Sequence, residues 1–262
     1  MKGKNVMKII TVGALKGGVG KTNFTFNLSC FLAIEKKKRI LVLDLDPQGN
    51  LTQCFKLDID KPWAINLFND KNNNITDIVF KTNFENVNIV PTDIEMSELE
   101  IKLSSQFGRE QKLKNTIQKN KYFLQTNYDY ILIDTNPSLN VTNVNAYLSA
   151  DNVILVSDNS IHSWRAIETI NKQWNNIVDY INANNNISAI VLNNFDTYTI
   201  SKDFIENLKD SSLNNLLIQQ EIRKKQVFKA SEITGIPVVK TLKKDENPYF
   251  NIVAELEQKG VI

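Results

Sequence analysis

Seven residues near the N-terminus, Lys16-Gly17-Gly18-Val19-Gly20-Lys21-Thr22, constrain the whole chain. They follow an apolar run, Ile9-Ile10-Thr11-Val12, that reads as a buried β-strand. They precede residues 23–32, whose spacing reads as a helix with one apolar face. Strand, glycine loop, Gly-Lys-Thr and helix, in that order, form the context in which a backbone loop binds phosphate. Glycines let the chain turn tightly and aim successive N–H groups at phosphate oxygens. The helix N-terminus behind them adds partial positive charge. In such a loop Lys21 contacts the β- and γ-phosphates of a nucleotide, and the Thr22 hydroxyl ligates Mg²⁺.

Two later stretches fit the same chemistry. The apolar run 40–43 reads as a strand covered on both faces, and it leads into Asp44-Leu45-Asp46-Pro47-Gln48-Gly49-Asn50. Carboxylates at the C-terminal end of a central parallel strand sit where α/β sheets place ligand chemistry, and alternation with Leu45 lets both point the same way. The run Tyr128-Asp129-Tyr130-Ile131-Leu132-Ile133-Asp134 is a second apolar strand ending in a carboxylate, the kind that binds Mg²⁺ downstream of a phosphate loop. Further apolar runs at 87–90, 150–156 and 187–194 read as strands, with helical segments between them. No repeat or linker divides the chain, so residues 1–262 are expected to form a single domain.

The loop departs from the common pattern. Leu15 stands where a glycine is usual, and Lys16 opens the loop as a second lysine. Lys-Gly-Gly-x-Gly-Lys-Thr resembles the deviant phosphate loop of the ParA/MinD ATPase superfamily, and Asp-x-Asp-Pro-Gln-Gly-Asn resembles its second motif. The resemblance spans nearly the whole chain and implies a doubly wound α/β fold with a mostly parallel sheet flanked by helices. It implies an ATPase that uses ATP and Mg²⁺, with Lys16, Lys21 and Asp46 in catalysis. Lys16 would reach across a homodimer to the partner's nucleotide, and Asp46 would position the attacking water. Lys16, Gly17, Gly18, Val19, Gly20, Lys21, Thr22, Asn23 and Asn193 would hold the nucleotide, and Thr22, Asp44 and Asp134 the metal. Asn193 or Asn194 would meet the adenine ring; a plain strand-end turn is the alternative reading. The family has a second proline where this chain has Asn136, in Thr135-Asn136-Pro137-Ser138, so a less stiff switch loop is expected.

Which branch of the family applies is read from residues outside the motifs. Cys30 and Cys54 lie inside the first helix and after the second motif, which does not suit the bridging cluster of nitrogenase-type iron proteins. No tyrosine cluster closes the chain, unlike the family's tyrosine kinases. The last helix is acidic, unlike the basic membrane-docking helix of MinD-type proteins, and no run reaches the length of a membrane span. A formal charge of +2 means that nucleic-acid binding requires a local patch. Arg223, Lys224, Lys225 and Lys229 supply one, and the family uses a similar stretch for non-specific DNA; a solvated basic turn is the alternative. Lys240, Lys243 and Lys244 are placed to extend it. The expectation is a short ParA-type DNA-partition ATPase, cytoplasmic and nucleoid-associated. It would pair when ATP-bound, act without membrane, and be stimulated by a centromere-binding, ParB-like protein. The rivals are a MinD-like positioning ATPase and a nucleotide-dependent DNA-binding regulator with negligible hydrolysis. The chain begins at its first strand, so an N-terminal helix-turn-helix extension is not expected.

Other expectations are structural. Short helices should fill residues 51–86, anchored by Trp63, Phe68 and Phe80. A helix should run from about 94 to 103, another from 109 to 125 and another over 204–208. His162, the only histidine, is placed in a loop, and 236–239 is read as a strand or extended segment. A closing helix is expected over 246–258, with Pro248 in its first turn.

Overall fold

The computed structural model describes residues 6–57, 64–69, 74–194, 207 and 211–262. Its strands are β1 (Lys8–Gly13), β2 (Ile40–Asp44), β3 (Phe80–Lys81), β4 (Val87–Val90), β5 (Tyr130–Asp134), β6 (Asn152–Ser157) and β7 (Ile187–Leu192). They lie in the order β3-β4-β2-β5-β1-β6-β7. All neighbours pair parallel except β3, which runs antiparallel to β4 at the edge. The helices are α1 (Lys21–Ile34), α2 (Asn50–Cys54), α3 (Leu99–Ser104), α4 (Lys112–Lys119), α5 (Lys121–Asn127), α6 (Val141–Ser149), α7 (Ile161–Tyr180), α8 (Gln226–Thr234) and α9 (Tyr249–Gln258). The doubly wound, mostly parallel α/β architecture expected from the sequence is the one observed.

Side-chain alternation explains the two layers. Leu41 and Leu43 of β2, Ile131 and Ile133 of β5, and Val153 and Leu155 of β6 join one buried cluster with Leu113 of α4, Tyr147 of α6 and Trp174 of α7. Ile40, Val42, Leu132, Ile154 and Val156 face the other way, into a cluster with Phe24 and Phe31 of α1 and Tyr249 and Leu256 of α9. A strand buried on both faces needs apolar residues at every position, which is why these runs read so clearly.

The register sets up the site. Val12 of β1 and Asp44 of β2 both pair with Asp134 of β5, so three central strands end level. β1 lies between β5 and β6, and the chain leaves it toward β2 on one side and later reaches β6 on the other. Open α/β sheets bind ligands beyond the carboxyl ends of strands at such a reversal.

Several local expectations are revised. α1 is buried nearly all round rather than on one face, because the sheet lies on one side and α8 and α9 pack on the other. Its polar residues are matched inside: Asn27 donates to Ser231 Oγ at 3.1 Å and accepts from Val238 N–H at 2.8 Å. Of the segment read as a strand or extended, Pro237 is extended and residues 238–240 close into a 3₁₀ turn, so it does not form a strand. The long helix expected from 109 breaks into α4 and α5 at Asn120. Its Nδ2 bonds Thr116 O at 2.9 Å and its Oδ1 accepts from Ile75 N–H at 3.2 Å. The helix expected from 94 starts as a 3₁₀ turn, Ile94–Glu98, before α3. His162 lies in the first turn of α7, exposed, not in a loop. The closing helix starts at Tyr249, with Pro248 as its N-cap. Between 51 and 86 the described residues form α2, two 3₁₀ turns and the edge strand β3, the last not expected; Phe68 is buried as an anchor and Phe80 is half-buried. Trp63, and the helix expected over 204–208 apart from Asn207, lie outside the described residues.

Candidate functional site

The loop expected to bind phosphate leaves β1 at Gly13 and enters α1 at Lys21. Gly20 sits at the N-cap with φ 81° and ψ 30°, a left-handed conformation that glycine adopts at little cost. A Cβ there would meet Asn193 Nδ2 at 2.3 Å. The contact arises because Asn193, just past β7, donates to the carbonyls of Val19 at 2.9 Å and Gly20 at 3.1 Å, while Asn194 donates to Gly18 O at 3.2 Å. Both asparagines therefore fasten the loop by its carbonyls, so the loop N–H groups are not what they occupy.

Asp134 is the centre of the charged cluster. It is fully buried, and Lys21 Nζ lies 3.0 Å from its Oδ1. Thr22 donates to its Oδ2 at 2.8 Å, and Thr25, one helical turn beyond Lys21, donates to Oδ1 at 3.0 Å. Thr25 belongs to none of the sequence motifs, although its spacing of four from Lys21 puts it on the same helix face. Asp44 stands opposite Asp134 in the β2–β5 register. Its Oδ2 accepts from the Thr52 N–H at 2.8 Å and the Thr52 hydroxyl at 2.7 Å, and its Oδ1 from Asp46 N–H at 3.2 Å. Burial, and next the charge of Asp134, push the Asp44 carboxyl up to about 7. Asp46 accepts from Gln48 N–H at 3.0 Å, and burial raises its carboxyl too.

These oxygens suit a hard divalent ion. Two facing carboxylates and the Thr22 hydroxyl supply only oxygen donors, the set Mg²⁺ takes together with water and nucleotide phosphates. The upward pressure on Asp44 is what an added cation beside the pair would relieve.

The remaining candidates are placed as follows. Gly17 and Gly18 lie in the exposed part of the loop, and Val19 is buried beneath it. Asn23 is buried, and its carboxamide donates to Phe228 O of α8 at 2.5 Å, so the side chain serves packing between helices and offers a ligand only its backbone. Lys16 Nζ lies 2.6 Å from Asp158 Oδ2 of its own chain and 3.0 Å from Ser160 Oγ. The loop that carries Asn136 is bonded to α6: Asn143 donates to Asn136 O at 2.8 Å and to Ser138 O, and Ser138 N–H bonds Asn136 O at 2.9 Å.

Arg223, Lys224, Lys225 and Lys229 are all exposed, with Ile222 buried behind them. Arg223 and Lys225 line a groove of about 380 Å³ that Lys244 joins from the chain before α9, together with Glu221, Asp245 and Glu246. Lys240 points elsewhere, over the Phe84 ring at 4.9 Å. Among the described residues no helix is long and apolar enough to cross a membrane.

Comparison with known proteins agrees with this geometry. The family model AAA_31, described as an AAA domain, matches residues 7–189. The sporulation initiation inhibitor protein Soj of Bacillus subtilis is 32% identical over 206 residues, covering 77% of this chain and 79% of its own. A plasmid partition protein of Borrelia burgdorferi B31 bound to AMPPNP superposes with a TM-score of 0.74 at 25% identity, covering 97% of this chain and 99% of that one. The septum site-determining protein MinD of Pyrococcus horikoshii, complexed with Mg-ADP, gives 0.72 at 25% identity over 95% and 96%. With the lysine-opened loop, the paired strand-end carboxylates and these relatives in hand, the chain belongs to the ParA/MinD superfamily, as a ParA-type member.

Proposed function

We propose that this protein is a partition ATPase whose nucleotide state governs pairing and DNA binding. The convergence of Lys21, Thr22 and Thr25 of one helix on Asp134 carries the reading. The loop lysine and the metal-site hydroxyl are both held on one buried carboxylate. ATP with Mg²⁺ fits there: the loop N–H groups and Lys21 would hold the phosphates, and Thr22, Asp44 and Asp134 the ion. The bound ion would neutralise charge on the phosphates. Asp46, which accepts from Gln48 N–H, would hold the attacking water.

Lys16 opens the loop at the surface, where a second copy bringing its own nucleotide would meet it. The paired state would present Arg223, Lys224, Lys225 and Lys229 to DNA, and a centromere-binding partner would stimulate hydrolysis and release. The link between the sites is short: the first turn of α1 is bonded through Asn23 to the first turn of α8, which carries Lys229 and follows Arg223. In this reading residues 1–262 act as one cytoplasmic unit on the nucleoid.

The test is turnover. Wild-type hydrolysis should require Mg²⁺ and rise with DNA and the cognate partner. Asp46→Ala should reduce it by about 10²–10⁴ while leaving an ATP-bound dimer trapped, because binding groups remain and only the proton-handling group is gone. Unchanged hydrolysis would take Asp46 out of the mechanism.

The DNA surface is tested separately. Arg223→Ala with Lys224→Ala should weaken binding to any duplex and flatten its salt dependence, by about one unit of slope for each phosphate the side chains no longer neutralise. An unaltered slope in a filter-binding titration would place the DNA surface elsewhere. Retention on anionic liposomes rather than plasmid would favour the positioning type of ATPase instead.

A further inference from the structure

β1 and β6 are neighbours, with Gly13 paired to Leu155, so the two chains leave the sheet side by side. One enters the phosphate loop. The other turns through Asp158 and Ser160 into α7. This brings together Lys16 and Asp158, 142 residues apart in sequence. Lys16 Nζ donates to Asp158 Oδ2 at 2.6 Å and to Ser160 Oγ at 3.0 Å. The other carboxylate oxygen, Oδ1, accepts from the Ser160 N–H at 3.0 Å, the Ser160 hydroxyl at 2.7 Å and the Ser163 hydroxyl. The start of α7 thus fixes one oxygen of Asp158 and aims the other at Lys16.

Burial alone would raise the Asp158 carboxyl, but hydrogen bonds from Lys16, Ser163 and Ser160 outweigh it and hold it at about 2. The carboxylate therefore stays charged throughout the physiological range. The Lys16 side chain is 36% exposed, against 7% for Lys21, so Lys16 alone of the two is open to another molecule. Two of the ammonium's three donors lie on Asp158 and Ser160, and moving to a phosphate on another copy gives up those bonds.

We propose that Asp158 is a positioning residue acting through Lys16: it holds the ammonium within its own chain in the free protomer, and so sets how tightly two nucleotide-loaded copies close. This rests on the reading of Lys16 as a group that serves the partner's phosphates. The pair contributes against closure, and it contributes twice, since each protomer must release one lysine. A partly exposed ion pair is worth a factor of roughly two to five, so two together come to about tenfold in the dimer dissociation constant.

The experiment is sedimentation velocity over a concentration series with Mg²⁺ and AMPPNP. Asp158→Asn removes the charge and keeps an oxygen for the Ser160 N–H. It should dimerise about tenfold more tightly than wild type, the factor that two partly exposed pairs supply. The double variant with Lys16→Ala should be as weak as Lys16→Ala alone, because Asp158 has nothing left to hold. A merely structural role for Asp158 would weaken pairing and add to the Lys16→Ala loss, and would overturn the proposal. So would unchanged pairing in D158N while Lys16→Ala fails to pair. Pairing of Lys16→Ala as strong as wild type would remove the partner-directed reading of Lys16 and the proposal with it. Should D158N not fold, Ser160→Ala removes one of the two Lys16 partners with the carboxylate intact. It should tighten pairing by about twofold, the lower end for a single exposed interaction, and no change would count against the proposal.

Discussion

Lys16→Ala is expected to stay monomeric at saturating ATP and Mg²⁺, at concentrations where the wild type pairs. Its turnover should fall by about 10³–10⁵, the range for a cation supplied across an interface to a phosphoryl group. The loss should come without loss of fold, because Lys16 is partly exposed and its ion pair with Asp158 is of the kind that adds little to stability. ATP binding should persist, since Lys21, Thr22 and the loop backbone are untouched. That combination separates Lys16 from Lys21, two lysines five residues apart in one loop. Multi-angle light scattering with ATP reads the pairing directly. ATP-driven dimers of the alanine variant would end the idea that Lys16 serves the other copy. Lys16→Arg is the informative companion, because a guanidinium keeps the charge but presents a planar fork in place of a compact ammonium.

How much of this is legible in the sequence depends on how many neighbours a residue answers to. β1, β2 and β5 are readable because a central strand in a doubly wound sheet meets apolar helices on both sides and has no room for polar side chains. Their terminal carboxylates stand out against that run. β3 has two residues, Phe80 and Lys81, and exists only through its pairing with Ile89 and Asn88, so no local pattern announces it. The break between α4 and α5 follows from the Asn120 carboxamide reaching Thr116 and Ile75, and helical periodicity alone continues through that position.

The site shows the same division. Lys21, Thr22 and Asp134 are recognisable as types at a spacing, and the fold brings Lys21 and Thr22 within 3.0 Å of Asp134. Asn193 is readable as a residue at the right place, but which group it serves depends on where the loop carbonyls of Val19 and Gly20 fall. Asp158 carries a signal of its own. The run 152–157 is a third apolar strand followed by a carboxylate, as at Asp44 and Asp134. Its partnership with Lys16 requires knowing that β1 and β6 are adjacent, which the order of elements along the chain does not state.

Lys21→Met should be the most destabilising change in the loop. Lys21 and Asp134 are both buried, and removing one partner of a buried pair leaves the other charge without compensation, at a cost of about 3–5 kcal/mol. Here the Thr22 and Thr25 hydroxyls stay on Asp134 and soften the loss, which favours the lower end. Asp44 works in the opposite direction: it faces Asp134 across β2 and β5, and with the ammonium gone two carboxylates share one buried corner. The net expectation of about 3 kcal/mol corresponds to a melting point roughly 6–12 °C below wild type for a chain of this size. Adding Asp134→Asn to Lys21→Met removes the orphaned charge and should restore part of the loss, so the double variant melts above the single one. Strictly additive losses would mean that the pair is not coupled and that the loop lysine is held by something else. Nucleotide gives the second readout. AMPPNP with Mg²⁺ should raise the wild-type melting point by mass action and leave that of Lys21→Met unmoved, because a ligand stabilises only a fold that binds it. A Lys21→Met protein that is destabilised yet still shifted by AMPPNP would assign Lys21 to the core and leave phosphate binding to the loop backbone.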